Sequence, residues 1–293
     1  MSHLSKWFVD NVVPTKAGQI SLCIFVALIA VEKVVDISRN KRWRGGHVLS
    51  NLVSTFINML VDVWAGGVFL IGYTVVFKHL RLFDVPDNAI GVVYAFFVIE
   101  LITYLQHWMY HRVGILWAMH SVHHSCPELN VAVTNRSMWG LSLFIPMMLL
   151  IPLLGVSIGQ FAMVGIPRTL WAYTLHSTLI PKLGVIDRWL NTPSDHRVHH
   201  GRQTKYLDRN YSQGFILFDR LFGTYQAEDE APDYGLVKQI GTKNPFKFQL
   251  AGFLTLYSAM QKADRWPDRL RYLYKPPGWS HTAGPMQSGQ ARS

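Results

Sequence analysis

The sequence predicts an all-α integral membrane protein, a bundle of about four transmembrane helices with a cytosolic helical cap that holds a histidine-rich di-metal site. Two observations predict this class. Only 16% of the 293 residues are charged and 49% are hydrophobic, whereas soluble domains carry about 25% charged residues. In addition, eight of the 13 histidines fall into three clusters with spacings of three and four residues.

Three long apolar runs predict membrane-spanning helices at residues 17–35, 52–77 and 89–106. A cleaved signal peptide is the alternative for the first run, and we favour a retained span. Four basic residues follow that run without an acidic residue, and such an excess marks a cytoplasmic loop. These residues are Arg39, Lys41, Arg42 and Arg44. Counting crossings then returns the end of the third span to the cytoplasmic face, which is the face of the inner membrane if the chain is bacterial.

Residues 140–175 form a further apolar block, which we expect to cross the bilayer twice or to dip in and return. Pro152 and the glycine-containing segment 155–159 interrupt the block near its centre. This pattern predicts a helical hairpin whose second half brings His176 to the cytoplasmic face. From Pro181 onward the chain is more polar and more basic, which predicts the cytosolic cap.

The last part of the chain is expected to contain one more helix. Residues 246–262 carry apolar side chains at helical spacing, which predicts an amphipathic helix on the membrane or on the cap, with core packing as the alternative. The tail 276–293 is rich in Pro, Gly, Ser and Gln and is expected to be disordered. The sequence thus predicts a single membrane-embedded domain over residues 1–275, with the histidine clusters inside residues 100–225.

The three histidine clusters predict a metal site. Residues three and four apart share one face of a helix about 5 to 6 Å apart, so each His-x-x-His-His box offers three imidazoles to a common point. One metal needs about four ligands, and eight histidines therefore predict two metals, which in binuclear sites lie about 3.5 to 4 Å apart. The predicted ligands are His107, His111, His120, His123, His124, His196, His199 and His200.

Two further polar residues lie close to these clusters in the sequence. His176 stands alone in WAYTLHSTL, and it is either a ninth ligand or a residue that orients a ligand. Glu100 precedes His107 by seven residues and shares its helix face, so it either hydrogen-bonds a ligand or satisfies a neighbouring helix. The remaining histidines are expected outside the site: His3, His47, His79 and His281.

Charge and cysteine usage narrow the choice of partners. The two cysteines, Cys23 and Cys126, supply neither a disulfide framework nor a CxxC zinc site, which fits a reducing cytoplasmic face. The formal net charge is +10, yet no nucleic-acid-binding motif is present. Basic residues beside apolar spans mark the cytoplasmic side and contact anionic headgroups. We therefore expect membrane lipid, and no nucleic acid, as the partner.

The boxes HWMYH, HSVHH and HRVHH, in this order, resemble those of the fatty acid hydroxylase or sterol desaturase superfamily of integral membrane di-iron oxygenases. Residues 191–225, with NTPS-x-HRVHHG and DRLFGT, resemble its alkylglycerol monooxygenase and bacterial sterol-desaturase-like branch. The resemblance covers residues 49–244. Asp195 departs from that branch, which often has histidine there, and so does Ala172, where relatives often carry Gln or His.

The resemblance implies O2-dependent hydroxylation of an unactivated C–H bond of a fatty acyl, sterol or ether lipid. Two iron ions would be the cofactor, O2 the co-substrate, and a separate electron-transfer partner or soluble reductant the electron donor. Zinc can occupy the same imidazoles in the purified protein. Residues that would hydrogen-bond ligands or lock the cap are Tyr206, Asp208, Asn210, Asp219, Asn130 and Arg136. Three tryptophans, Trp108, Trp117 and Trp139, would shape a lipid channel or anchor the protein at the interface.

Other reactions and functions compete with hydroxylation. A desaturase would use the same ligands, since a second hydrogen abstraction gives an alkene. A membrane zinc hydrolase would activate water without redox chemistry, but the chain has no HExxH motif and no paired glutamate at a box. A non-catalytic metal-binding or transport protein would need polar residues along its spans, and these are sparse.

Overall fold

A computed structural model describes residues 17–39, 45–140 and 146–282. Across these ranges the chain is helical, with ten α-helices, short 3-10 turns and no strand beyond two isolated β-bridges. The predicted all-α class is confirmed. The helices are α1 (Ala17–Ser38), α2 (Gly45–His79), α3 (Ala89–Arg112), α4 (Gly114–His124), α5 (Leu150–Leu153), α6 (Ile158–Leu175), α7 (Pro193–His199), α8 (Leu217–Leu221), α9 (Pro245–Gln261) and α10 (Trp266–Tyr274).

Helices α2 and α3 are the described helices that are long and apolar enough to cross a membrane, over His47–His79 and Ala89–Arg112. Few residues of α2 are buried, and Val63 at its middle is 80% exposed. Such a long apolar surface is unfavourable in water and is suited to lipid. The buried side of α3 packs through Ile99 against Tyr73 of α2 and Val164 of α6. Whether α1 and α6 also cross the bilayer remains a prediction.

The predicted turn inside the apolar block lies at Gly155, whose φ of 87° falls in the left-handed region that favours glycine. Ser157 then starts α6 with a capping box that it shares with Gln160. Before the turn, the described residues form only the 3-10 turn Pro146–Leu149 and the single-turn α5, and residues 141–145 lie outside the described ranges. The second half of the predicted hairpin is a full helix, and it ends directly before His176.

The short helix α4 is packed against both α9 and α10, and two glycines allow these helices to approach it closely. A Cβ atom on Gly252 of α9 would lie 2.1 Å from the Ala118 carbonyl oxygen, and one on Gly114 of α4 would lie 2.0 Å from the Tyr272 carbonyl oxygen. Helix α9 is the helix predicted at residues 246–262. The packing holds α4, which carries three of the histidines, in a fixed orientation.

Parts of the predicted organisation fall outside the described ranges, namely Lys41, Arg42 and Arg44 of the basic loop and residues 283–293 of the tail. The first residues of the predicted tail lie against α10. The Trp279 ring centre is 4.9 Å from that of Tyr272, and the His281 Nδ1 atom is 2.9 Å from the Tyr272 hydroxyl oxygen.

Candidate metal centre

Nine histidines from four segments meet at one place in the described structure. The segments are the end of α3, the end of α4, the residue that caps the C-terminus of α6, and α7 with the residue after it. Their side chains form two sets in which the ligand nitrogens all lie within 4.8 Å of one another. The five-histidine set is His107, His111, His120, His124 and His199, and the four-histidine set is His123, His176, His196 and His200.

The nitrogen separations in the five-histidine set match those around one ion. Nε2 of His120 lies 3.1 Å from Nε2 of His107 and 3.2 Å from Nε2 of His124, and the latter lies 3.1 Å from Nε2 of His199. Nitrogens held about 2.0–2.1 Å from one ion at angles between octahedral and tetrahedral values are about 2.9–3.4 Å apart. The set therefore fits a single metal ion.

The four-histidine set has the same spacing and includes His176. Nε2 of His176 lies 3.2 Å from Nε2 of His123 and 3.0 Å from Nε2 of His196, which lies 3.2 Å from Nε2 of His200. The geometry thus groups His176 with three of the eight histidines that the sequence singled out. The sequence pattern suggested that the three histidines of each His-x-x-His-His box point to one place. The structure instead divides each box between the two sets.

Hydrogen bonds on the outer side of the rings fix which nitrogen faces the centre. The Nδ1 atoms of His107, His199 and His123 lie 2.6, 2.9 and 3.1 Å from the carbonyl oxygens of Tyr211, Arg209 and Arg136. A carbonyl oxygen only accepts, so each Nδ1 carries the hydrogen and donates it. Each Nε2 then presents its lone pair to the interior of its set, which is the arrangement that a metal ion requires.

Two more ligands have polar partners on their outer side. The Nδ1 atom of His111 lies 3.6 Å from a carboxylate oxygen of Asp208, and that of His176 lies 3.1 Å from the Thr134 hydroxyl oxygen. Carboxylate and hydroxyl partners orient the ring and raise the basicity of a ligating histidine. Asp208 was among the predicted supporting residues, whereas Thr134 was not.

The loop after α7 presents a backbone carbonyl to the centre through unusual dihedral angles. Asp208 and Asn210, on either side of Arg209, have φ values of 61° and 55°, in the left-handed region that Asp and Asn tolerate better than most residues. The Asn210 amide nitrogen donates to the carbonyl oxygens of Asp195 and Gln226 at 3.0 and 2.7 Å. These contacts hold the Arg209 carbonyl against His199.

Asp219 at the start of α8 holds a second carbonyl in place. Its two carboxylate oxygens accept hydrogen bonds from the backbone nitrogens of Tyr211 and Ser212, both at 2.8 Å, and from the Thr224 hydroxyl at 2.7 Å. Tyr211 in turn offers its carbonyl oxygen to His107. Asp219 therefore positions His107 through the backbone of Tyr211.

Burial favours the neutral form of the imidazoles. It lowers the pKa of His123 to about 4 and lowers the pKa of six other histidines of the two sets well below the ordinary value. Neutral imidazole is the form that binds a metal, because the lone pair must be free. At neutral pH these rings are therefore ready to bind an ion without losing a proton first. The residues with strongly lowered pKa are His120, His124, His176, His196, His199 and His200.

Two other predicted supporting residues, Tyr206 and Asn130, stabilise backbone segments, and so does Asp195. The Tyr206 hydroxyl accepts from the backbone nitrogens of Asp229 and Glu230 at 3.0 and 2.8 Å and so ties down the loop after α8. The Asn130 side chain caps a 3-10 turn by accepting from the backbone nitrogen of Ala132. Asp195 forms a capping box at the start of α7 with Thr192.

Glu100 contacts α6 and the backbone just before α8. Its carboxylate accepts from Arg168 Nε at 2.7 Å and from the backbone nitrogens of Gly214 and Phe215 at 3.1 and 2.9 Å. Of its two predicted roles, Glu100 therefore has the second, which is to satisfy a neighbouring helix. Sequence reasoning missed Arg168, although a charged residue inside an apolar block is a signal of a specific partner. The ion pair lies beside an apolar groove of about 440 Å³ between α3 and α6.

One of the three predicted channel tryptophans lies at the centre. The Trp117 ring is 5.0 Å from that of His111 and 5.6 Å from that of His124. Trp108 is 38% exposed on the outer side of α3. The Trp139 Nε1 atom donates to the Ser54 carbonyl oxygen of α2, so this ring joins two helices instead of lining the site.

A cavity of about 780 Å³ reaches the histidines from the side of α9 and α10. Its walls include His111, His124 and His199 of the five-histidine set, but only His200 of the other set. Trp117 and Asp208 line it as well, and the rest is formed largely by α9, residues 235–240 and residues 276–280, with Tyr272 from α10. A molecule in this cavity would therefore contact three histidines of the five-histidine set.

Comparisons with known proteins agree with this site. Alkylglycerol monooxygenase of Homo sapiens is 30% identical over 269 residues, which are 87% of this chain and 58% of that protein. The same enzyme of Xenopus tropicalis is 31% identical over 91% of this chain and 60% of its own length. An ornithine lipid hydroxylase of Rhizobium tropici is 30% identical over 48% of this chain and 44% of its own length. No solved structure matches the chain significantly.

The chain spans about three fifths of the length of the alkylglycerol monooxygenases that it matches. The family model for fatty acid hydroxylases matches residues 92–224, a range that contains all nine histidines of the two sets. It also contains the carbonyl oxygens that accept from these histidines and the carboxylates that support them. Residues 92–224 of this chain are therefore a domain of the fatty acid hydroxylase family.

Proposed function

We propose that the protein is a membrane-embedded di-iron oxygenase that uses O2 to hydroxylate an unactivated C–H bond of a lipid. The division of nine histidines, eight of them buried, into two sets, each with the nitrogen spacing of one ion, carries this proposal. The family of residues 92–224 supports it, as do relatives whose names describe oxygenation of alkylglycerol and hydroxylation of ornithine lipid.

The donor set is consistent with iron. Neutral imidazole accepts Fe, Zn, Cu or Ni, but an unactivated C–H bond requires a redox-active centre, since acid and base groups of a protein lack the oxidising power. Iron held by these histidines would supply the activation of O2. His107, His111, His120, His124 and His199 would hold one ion, and His123, His176, His196 and His200 the other.

The remaining residues of the site position the ligands and the substrate. The carbonyls of Tyr211, Arg209 and Arg136 keep the Nδ1 atoms of three histidines protonated and their Nε2 atoms directed inward. Asp208 lies beside the Nδ1 atom of a fourth histidine, and Asp219 holds the backbone of Tyr211. The cavity beside the five-histidine set would take the lipid chain, and Trp117 would hold that chain against the histidines. Deep burial of the rings excludes water that would otherwise compete for the centre.

The topology that we propose has several membrane passes, with α1 and α6 accompanying α2 and α3. The metal centre lies on the cytoplasmic face, since the basic loop before α2 marks that side. Electrons come from a separate protein partner or a soluble reductant, because two cysteines cannot hold a ferredoxin cluster. A single membrane-embedded domain over residues 1–275 completes this proposal.

The test is turnover by the iron-loaded protein with isotopically labelled O2 and lipid extract, followed by mass spectrometry. We expect a lipid product that has gained one labelled oxygen atom. A product that has lost two hydrogens without label would make the enzyme a desaturase. Absence of both products from protein with full iron content, supplied with chemical reductant, would contradict the proposed function.

Matched variants link the reaction to the site. His124→Ala and His199→Ala each remove a buried ligand nitrogen, and each is expected to abolish product formation and to lower the iron content. His79→Ala is the control, because this residue ends α2 outside both sets, and it should keep both properties. Equal product and iron in all three variants would exclude these histidines as the centre.

A further inference from the structure

Helices α9 and α10 present an apolar face to the outside of the molecule. Along α9 the exposed apolar residues recur at spacings of four and three, and along α10 at spacings of four, so that each series forms one stripe. Each of these side chains is between 50% and 69% exposed. They are Phe246, Leu250, Leu254 and Tyr257 of α9 and Trp266, Leu270 and Tyr274 of α10.

The opposite face of α9 is occupied by contacts within the protein. Phe248 is buried, Gln249 is 6% exposed, and Gly252 lies against the backbone of Ala118 in α4. The helix is therefore already fixed to the cap through its inner face. More than half of each side chain in the outer stripe of α9 remains exposed, so the apolar character of the stripe needs another explanation than the stability of the described core.

The stripe is accompanied by strong positive charge. Between positions 238 and 275 the sequence has eight basic residues and only two acidic residues, Asp264 and Asp268. Seven of the basic residues are exposed and Arg269 is half-buried. Apolar side chains flanked by Lys and Arg on one helix surface are the features of helices that lie in the headgroup region of anionic membranes. The exposed basic residues are Lys238, Lys243, Lys247, Lys262, Arg265, Arg271 and Lys275.

The start of α9 is joined to the membrane-spanning helix α2. The Gln249 amide nitrogen lies 3.3 Å from the Ser54 hydroxyl oxygen of α2, and the Phe246 ring lies 5.2 Å from that of Trp139, which donates to the Ser54 carbonyl. On this part of α2, Phe56 is 64% exposed. The outer stripe of α9 thus begins where the exposed apolar surface of α2 begins.

We propose that α9 and α10 lie on the bilayer surface, with the apolar stripe in the boundary between headgroups and acyl chains and the basic residues on anionic headgroups. A second copy of the chain fits this face less well, because a symmetric contact would bring two strongly basic surfaces together. The surface of the bilayer also continues the lipid environment of α2 without a gap.

This position has a consequence for access to the metal centre. Helix α9, together with Tyr272 of α10, forms a wall of the 780 Å³ cavity whose other side carries His111, His124 and His199. With both helices at headgroup depth, the cavity lies next to the leaflet, and a lipid chain reaches it without crossing water. The docking itself does not depend on the reaction, so it can be tested in protein without turnover.

The test is depth-dependent fluorescence quenching of the full chain in nanodiscs of phosphatidylcholine and phosphatidylglycerol. Single cysteines are placed at Leu254→Cys and Leu270→Cys on a Cys23→Ser background, labelled with bimane, and exposed to lipids that carry a nitroxide near the headgroup. Cys126 is buried and remains. Val63→Cys on the exposed face of α2 is the lipid-embedded reference, and Lys205→Cys, exposed on the cap, is the aqueous reference.

We expect both labels on α9 and α10 to be quenched at least about twofold more than the label at Lys205→Cys. Quenching should weaken when phosphatidylglycerol is replaced by phosphatidylcholine, because the charge attraction is lost. Quenching at the level of Lys205→Cys would overturn the proposal. Excimer formation between pyrene labels at Leu254→Cys, without lipid quenching, would show a second copy on this face and would overturn it as well. Unchanged unfolding temperatures confirm that the variants are folded.

Discussion

The guanidinium of Arg136 lies 3.5 Å over the centre of the Phe248 ring, and this contact joins α9 to the metal centre. Arg136 is only 2% exposed, and its own carbonyl oxygen accepts the hydrogen bond from His123 Nδ1. One buried side chain thus connects three helices around a ligand of the four-histidine set. Its guanidinium donates to Val122 O of α4, to Ser125 Oγ at the end of α4 and to Asn51 Oδ1 of α2.

Replacing this arginine is predicted to weaken both the fold and the metal site. Arg136→Met leaves the oxygens of Asn51 and Ser125 without their donor, and buried acceptors without a partner lower the free energy of unfolding by about 1–3 kcal/mol each. We expect a lower thermal unfolding midpoint and a lower iron content. Arg271→Met on the surface of α10 is the control. Equal midpoints and iron contents in the two variants would show that Arg136 does not position His123.

Asp219→Asn is predicted to lower metal affinity without removing a ligand. The carboxylate accepts from two backbone nitrogens and one hydroxyl. In asparagine an NH2 group replaces one of the two oxygens, so that a hydrogen-bond donor would face another donor. The Tyr211 carbonyl then loses its position against His107. We expect the metal affinity to fall by about tenfold or more, measured by competition with a chelator. Asp229→Asn, on the exposed loop, should leave the affinity unchanged, and the same loss in both variants would argue against the predicted role.

Gly252→Ala tests the close contact between α9 and α4. The added Cβ atom would lie 2.1 Å from the Ala118 carbonyl oxygen and 2.5 Å from the Ser121 hydroxyl oxygen, so the helices must separate. We expect a loss of about 2 kcal/mol in the free energy of unfolding and reduced product formation, because α4 carries three histidines. Gly165→Ala in α6 has nothing within 4 Å of its Cβ position and should be neutral. A midpoint for Gly252→Ala as high as that of the native chain would refute the contact.

The sequence predicted which histidines meet but not how they divide. In each His-x-x-His-His box the first and third histidines share one set, and the middle one belongs to the other, as with His120, His124 and His123. Successive helix positions differ by about 100°. Residues i and i+4 are thus separated by about 40°, whereas i+3 and i+4 are separated by about 100°. The spacing of the histidines therefore predicted that they lie on one side of their helix. The set to which each ring belongs depends on the positions of the other helices.

The supporting contacts were less predictable because they depend on the backbone. Tyr211 and Arg209 orient ligands through carbonyl oxygens, a group that every residue has, so no side-chain pattern marks them. Asp208 and Asn210 were recognisable as residue types that tolerate left-handed geometry, but their partners come from the tertiary fold. Helices α2 and α3 were predictable from apolar runs. The contact between Glu100 and Arg168 was not, because it depends on how α6 packs on α3.

The most direct test of a two-metal centre is the iron content of the purified protein, expressed with ample iron, measured by elemental analysis together with two ligand variants. His111→Ala removes a nitrogen from the five-histidine set only, and His176→Ala removes one from the four-histidine set only. We predict about two irons per chain in the native protein and about one in His176→Ala, because three histidines are fewer than the about four ligands that one metal needs. His111→Ala leaves four histidines in its set, so we predict that its second iron is retained but is removed by a chelator more readily than in the native protein. One iron or none in the native protein, or two irons retained in His176→Ala, would contradict the account.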